Sequence, residues 1–68
     1  MTERCTGFIQ SYNRQAGHGF LVPLGRREPV FFEQTDIEGP DKGLSVDQQV
    51  TFVLVLGDGR FVAKEIRP

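Results

Sequence analysis

The stretch Gln49-Val50-Thr51-Phe52-Val53-Leu54-Val55-Leu56 carries the strongest secondary-structure signal in this chain of 68 residues. Every second position in it holds a large apolar side chain, and a period of two predicts a β-strand whose apolar side chains share one face. These side chains are Val50, Phe52, Leu54 and Leu56. We therefore predict a strand over residues 49–56, with Phe52 in the hydrophobic core.

Shorter β-rich runs surround this stretch, and turn residues separate them. Asp58-Gly59 is typical of a β-hairpin turn and predicts that the chain returns as a further strand. Upstream, residues 35–38 resemble one helical turn capped by Thr35 or Asp36, and residues 39–43 form a loop. The predicted strands cover residues 5–13, 17–23, 29–34, 49–56 and 61–66. Five short strands predict an all-β fold, a small five-stranded antiparallel β-barrel, because closing the sheet removes its unpaired edges.

Length and composition restrict the class of protein. Sixty-eight residues allow a single domain, residues 1–68, and 38% hydrophobic with 25% charged residues is the composition of an ordinary globular protein. No apolar stretch approaches the roughly 18 residues of a transmembrane helix, so we expect no membrane partner. The N-terminus leads straight into a predicted strand rather than a signal peptide, and the single cysteine, Cys5, fits a reducing compartment. We expect a cytoplasmic protein.

Alternation in the second and third predicted strands separates core side chains from outer ones. The side chains assigned to the core are those of Leu21, Val30 and Phe32. Because neighbouring residues of a strand point to opposite faces, Phe20 and Phe31 then point outward beside His18. Clustered aromatic side chains on an exposed sheet are uncommon without a partner. The sequence therefore predicts a binding surface on these two strands.

Three segments resemble the signature of the cold-shock domain family. They are Gly-Phe-Ile-Gln-Ser-Tyr-Asn at residues 7–13, Ala-Gly-His-Gly-Phe-Leu at 16–21 and Val-Phe-Phe-Glu-Gln at 30–34. The second segment resembles the first ribonucleoprotein motif of that family, and the third resembles its second motif. The resemblance spans about residues 6–66, in the right order and with compatible spacing. It implies an OB-fold barrel whose exposed aromatic face stacks the bases of single-stranded RNA or DNA.

The resemblance and the predicted face together suggest a set of nucleic-acid-binding residues. We expect Phe20 and Phe31 to stack bases, with His18 and Tyr12 as further stacking side chains, and we expect Gly17 and Gly19 to let a base lie close to the strand. Arginines in or beside loops, at positions 14, 26, 27 and 60, are expected to follow the phosphates. The candidate site residues are Gln10, Tyr12, Asn13, Arg14, His18, Phe20, Phe31 and Arg60.

Several positions depart from the family pattern. Ser11 stands where most members carry an exposed tryptophan, and His18 stands where a phenylalanine is usual. Glu33 and Gln34 replace a histidine and a phenylalanine, and Ala16 replaces a lysine. With a net charge of −1, these changes leave open a second interpretation, in which the barrel is a protein-interaction or structural module that could form a homodimer.

The motif at residues 17–20, with residues 36–39 downstream, is similar to the branch of the family that contains the calcium-regulated heat-stable proteins. That resemblance suggests an RNA chaperone or a regulator of mRNA or transcription. One histidine provides no catalytic triad, so we expect no enzymatic activity and no small-molecule substrate. A zinc site needs three or four ligands, and His18 and Cys5 supply two, so we expect neither a metal nor another cofactor.

Overall fold

The structure is a computed structural model that describes residues 4–40 and 43–68. These residues form five strands and one short 3₁₀ turn. The strands are β1 (Cys5–Asn13), β2 (His18–Pro23), β3 (Val30–Glu33), β4 (Gln49–Gly57) and β5 (Arg60–Arg67). Each strand begins and ends within one residue of its predicted bounds. No helix in the two described ranges is long and apolar enough to cross a membrane.

The strands close into a barrel in the order β1-β2-β3-β5-β4. The pairings β1–β2, β1–β4, β2–β3 and β4–β5 are antiparallel, whereas β3 and β5 pair in parallel through Phe31 and Val62. The predicted five-stranded barrel is confirmed, with one correction, because the closing pair is not antiparallel. A closed ring with an odd number of strands cannot alternate in direction throughout, so one parallel pair is required.

The core lies inside the barrel and is made of the inward side chains of all five strands. Leu21, Phe32 and Phe52 have no exposed surface, and Val30 is 5% exposed, as the alternation predicted. The core also includes Ile9, Ile37, Val50, Ala63 and Ile66. Burial of a large apolar side chain contributes about 1.5–3 kcal/mol, so these positions provide most of the driving force for folding.

A β-bulge in β5 decides which of its side chains are buried. The pairing of β5 with β4 slips by one residue between Thr51 and Val53, and Glu65 has a positive φ of 50°. An extra residue in one strand reverses the alternation beyond it. Ala63 and Ile66, three positions apart, are therefore both buried.

The hairpin of β4 and β5 extends beyond the end of the core. Leu54 is half-buried against the core, but Leu56, on the same predicted face, is 64% exposed. Leu56 pairs with Phe61, which is 45% exposed. The apolar face predicted for residues 49–56 is therefore buried only in its first half, because strand β4 extends beyond the end of the barrel.

The 3₁₀ turn covers Gln34–Asp36 and follows β3 directly. The predicted turn at residues 35–38, capped by Thr35 or Asp36, is corrected, because the cap is Glu33. Asp36 lies at the third position of the turn, and its carboxylate accepts the Glu33 backbone N–H at 2.9 Å. Of the predicted loop at 39–43, residues 41 and 42 lie outside the described residues.

Candidate nucleic-acid interface

His18, Phe20 and Phe31 lie together on the outer surface of β2 and β3, and we call these three side chains the aromatic face. Phe20 pairs directly with Phe31, and the two ring centroids are 5.7 Å apart with the rings inclined at 71°. The His18 ring lies 5.8 Å from that of Phe31. Phe20 is 38% exposed. The outward orientation predicted from strand alternation is therefore present in the structure.

Arg60 adds a cation to the aromatic face. Its guanidinium carbon lies 4.8 Å from the centroid of the Phe31 ring, which is the geometry of a cation–π contact. Arg60 is the first residue of β5, and the parallel pairing of Phe31 with Val62 brings the start of this strand beside β3. The site thus depends on a contact between residues far apart in sequence.

A second pair of arginine and phenylalanine extends the surface. Arg26 lies over the Phe61 ring at 5.7 Å, and a groove of about 340 Å³ joins both residues to Phe20 and Phe31. Phe61 is not among the site residues predicted from the sequence. Its position two residues after the Asp58-Gly59 turn signal could have indicated that it lies at an exposed hairpin end.

Tyr12 does not belong to the aromatic face. Its ring packs against the core, 5.6 Å from the ring of Phe32, and its buried hydroxyl has no hydrogen-bond partner among the described residues. The pairing of β1 with β2 slips between Ile9 and Ser11, which places Tyr12 opposite Gly19 rather than opposite the outward His18. This bulge reverses the alternation, and the expectation that Tyr12 stacks a base on this face is corrected.

Gly19 serves the core rather than the outer surface. A Cβ at this position would lie 2.9 Å from the Phe32 ring and closer still to the backbone oxygen of Ser11. A side chain here would therefore push β1 and Phe32 away from β2. The expectation that Gly19 lowers the outer surface for a base is corrected.

Gly17 has a φ of 80° in the turn before β2, a conformation that glycine adopts without strain.

The other predicted site residues lie on β1 and its turn. The Asn13 side chain accepts the backbone N–H of Ala16 at 3.0 Å and so stabilises the turn between β1 and β2. Arg14 is exposed within that turn, and Gln10 is exposed at the bulge. Of the eight candidate residues, the structure brings together four, because the side chains of His18, Phe20 and Arg60 each contact the Phe31 ring.

Charged side chains border the aromatic face along β3 and β5. Glu33 is exposed on β3 opposite His18, and it shares a groove of about 560 Å³ with Phe31, Arg60 and Lys64. Lys64 donates a hydrogen bond to the buried Asp36 at 2.8 Å, and this bond raises the pKa of Lys64 above its usual value. Within residues 4–40 and 43–68, no three His, Cys, Asp or Glu side chains are grouped to hold a metal ion.

Comparison with known proteins agrees with this fold. The chain matches the family model described as 'Cold-shock' DNA-binding domain over residues 5–68. It is 47% identical over 34 residues to the cold shock domain-containing protein CG9705 of Drosophila melanogaster, covering 50% of this chain and 24% of that protein. It is also similar to the solved structure of drosophila Unr CSD456, with a TM-score of 0.81 and 26% identity over 96% of this chain and 26% of the other.

The chain therefore spans about a quarter of the length of either relative. The family match, in contrast, covers nearly the whole chain, and the closed five-stranded barrel agrees with it. Because sequence and structure lead to the same result, the chain belongs to the cold-shock DNA-binding domain family, which is a family of nucleic-acid-binding domains rather than of enzymes.

Proposed function

We propose that this domain binds single-stranded RNA or DNA by stacking unpaired bases on the aromatic face. The observation that carries the proposal is the direct pairing of the exposed Phe20 with the partly exposed Phe31 on the outside of a barrel whose core is complete without them. Stacking on an aromatic side chain contributes about 1–3 kcal/mol per base and is available to every base. Such a surface favours nucleic acid over ligands that lack flat rings.

The arrangement of the rings favours single strands. Bases of a duplex are stacked on one another and paired, so their flat surfaces are inaccessible to a protein ring. Phe20 and Phe31 meet at 71° and would therefore hold bases that are splayed apart. A base stacked on Phe31 would displace the Arg60 guanidinium, which would then be free to contact a neighbouring phosphate.

Phe20→Ala and Phe31→Ala are each expected to weaken binding to single-stranded oligonucleotides by about 1–3 kcal/mol, because each removes one stacking surface. The measurement is the fluorescence anisotropy of labelled oligo-dT and oligo-U at low salt. Leu24→Ala is a matched control, since Leu24 is 60% exposed but lies outside the aromatic face. Unchanged affinity in the Phe31 variant would contradict the stacking proposal.

Binding is expected to depend only weakly on salt. Arg26 and Arg60 contact the Phe61 and Phe31 rings, and Arg14 and Arg27 are exposed in loops, so four arginines at most would neutralise phosphates. Each phosphate neutralised on a single strand contributes about −0.7 to the slope of log K against log[salt]. The slope should be no steeper than about −3 in a titration from low to physiological salt. A much steeper slope would mean that charge, rather than stacking, dominates.

A second candidate function is a protein-interaction or structural module, which could include a homodimer. The exposed Leu56 and Phe61 at the end of the β4–β5 hairpin favour it, as does the carboxylate of Glu33 beside the aromatic face. This alternative predicts that the folded domain does not bind oligonucleotides under any salt condition.

Three finer assignments extend the proposal. We assign the domain to the branch that contains the calcium-regulated heat-stable proteins, on the basis of residues 17–20 and 36–39. We further propose a cytoplasmic role in RNA chaperoning or in the regulation of mRNA or transcription. Because the chain spans about a quarter of its relatives, these proposals concern this domain alone.

A further inference from the structure

We propose that Glu33 makes the aromatic face selective for guanine, by accepting hydrogen bonds from the Watson–Crick edge of a base that stacks on Phe31 or His18. The inference rests on the proposed function and adds a base preference to it. Glu33 places an exposed carboxylate on a surface that would otherwise attract a polyanion.

The pairing of β2 and β3 places Glu33 at the edge of the aromatic face. Glu33 is directly opposite His18, where the Cβ atoms of an antiparallel pair lie about 4.5–5.5 Å apart. It is two residues beyond Phe31 on the same face of β3, a distance of about 7 Å along the strand. A base that covers either ring therefore has its edge within reach of a glutamate side chain.

The space beside Phe31 has the size of a ligand site. Glu33 and Phe31 border a groove of about 560 Å³, whose apolar walls include Val55 and Val62. Sites for small ligands usually measure about 300–1,000 Å³ and combine apolar walls with a few polar groups. One base can therefore enter this groove with its flat face on Phe31 and its edge toward β3.

Of the two carboxylates that β3 and the following turn bring to this groove, Glu33 is the available one. Asp36 is buried and already accepts hydrogen bonds from Lys64 and from the Glu33 backbone. Glu33 is exposed and forms no ion pair among residues 4–40 and 43–68. Glu33 and Asp36 are arranged as a capping box, which orients the Glu33 side chain. A carboxylate has about four lone-pair sites, so this contact leaves acceptor capacity for a base.

The chemistry of a carboxylate determines which base it accepts. An ionised glutamate only accepts hydrogen bonds, and its two oxygens match two adjacent donors. Guanine presents N1–H and the N2 amino group side by side. Thymine and uracil present one N–H between two carbonyl oxygens, which the carboxylate repels. Cytosine and adenine each present one amino group next to an acceptor nitrogen. Guanine is therefore the base that fits Glu33 best.

The test compares three labelled single strands of equal length. One is all thymidine, one has a single central guanine, and one has hypoxanthine at that place, which keeps the purine ring but lacks the N2 amino group. The unmodified protein should bind the guanine strand about fivefold or more tightly than the thymidine strand, the lower end of what a bidentate base contact provides. Hypoxanthine should lose most of this gain.

Glu33→Gln should reduce the guanine-to-thymidine affinity ratio to near one, because the amide replaces one acceptor with a donor. Glu65→Gln removes the same charge near the far end of β5 and should leave the ratio unchanged. A purely structural role of Glu33 in the capping box would alter stability but not the ratio.

The outcomes separate this inference from the function on which it rests. If all three strands bind equally well, or if Glu33→Gln keeps the guanine preference, the selectivity is wrong and single-strand binding stands. If hypoxanthine equals guanine, the N2 amino group contributes nothing and the bidentate contact with Glu33 is wrong. If no strand binds to the folded protein, both proposals fail.

Discussion

Phe32→Ala is expected to lower the free energy of unfolding by about 3–5 kcal/mol, the usual cost of deleting a large buried aromatic side chain. The Phe32 ring has no exposed surface, packs against Tyr12 and fills the space beside Gly19. A closed barrel cannot collapse easily around a lost ring, because its strands are held on both sides by hydrogen bonds. The measurement is urea denaturation followed by circular dichroism.

The matched control is the adjacent residue. Phe31→Ala removes a side chain of the same size from the outer surface, where Phe31 is partly exposed. We expect it to affect stability much less than Phe32→Ala does, while it weakens oligonucleotide binding. Equal loss of stability in the two variants would contradict the division of β3 into a core face and a binding face.

The double variant Ser11→Trp with Glu33→His is expected to bind oligo-dT about 2–4 kcal/mol more tightly than the unmodified protein. Ser11 is exposed and paired with Phe20, so an indole at this position extends the aromatic face. Replacing Glu33 removes a carboxylate near the path of the phosphates and adds a flat ring. Two like charges about 6 Å apart repel by roughly 0.7 kcal/mol in water, and by more in a partly desolvated groove.

Anisotropy titrations at low salt, on the two single variants and on the double variant, measure this gain. Each single change should tighten binding, and circular dichroism should show that the double variant remains folded. If the folded double variant still fails to bind oligo-dT, the aromatic face does not serve a single strand, and the protein-interaction alternative is favoured. The loss of guanine preference in Glu33→His would follow from the selectivity proposed above.

Alternation in the sequence was sufficient to predict the two central strands of the site. In β2 and β3 the period of two continues without interruption, so Leu21, Phe32, Phe20 and Phe31 lie on the faces assigned to them. The strand bounds were also predictable, because turn residues such as Asp58-Gly59 act locally. Local signals of this kind do not depend on the rest of the fold.

The positions of Tyr12 and Ile66 could not be predicted from alternation. Tyr12 follows a bulge in β1, and Ile66 follows a bulge in β5. A single extra residue exchanges the inner and outer faces of the strand beyond it. A bulge depends on how two strands pair across the barrel and leaves no clear pattern within one strand. The same limit applies to Leu56, whose exposure depends on where the barrel ends.

Local sequence patterns were enough to predict the number of strands, most of the core and the outward orientation of Phe20 and Phe31. Three contacts became visible only in the folded barrel: Arg60 covers Phe31, Tyr12 packs against the core and Lys64 forms an ion pair with Asp36. The physical reason is the range of the interactions. Side-chain alternation is set by the geometry of a single strand. The contacts of Arg60 and Lys64, in contrast, form only when β3 and β5 pair in parallel, and the orientation of Tyr12 depends on the bulge that β1 makes against β2.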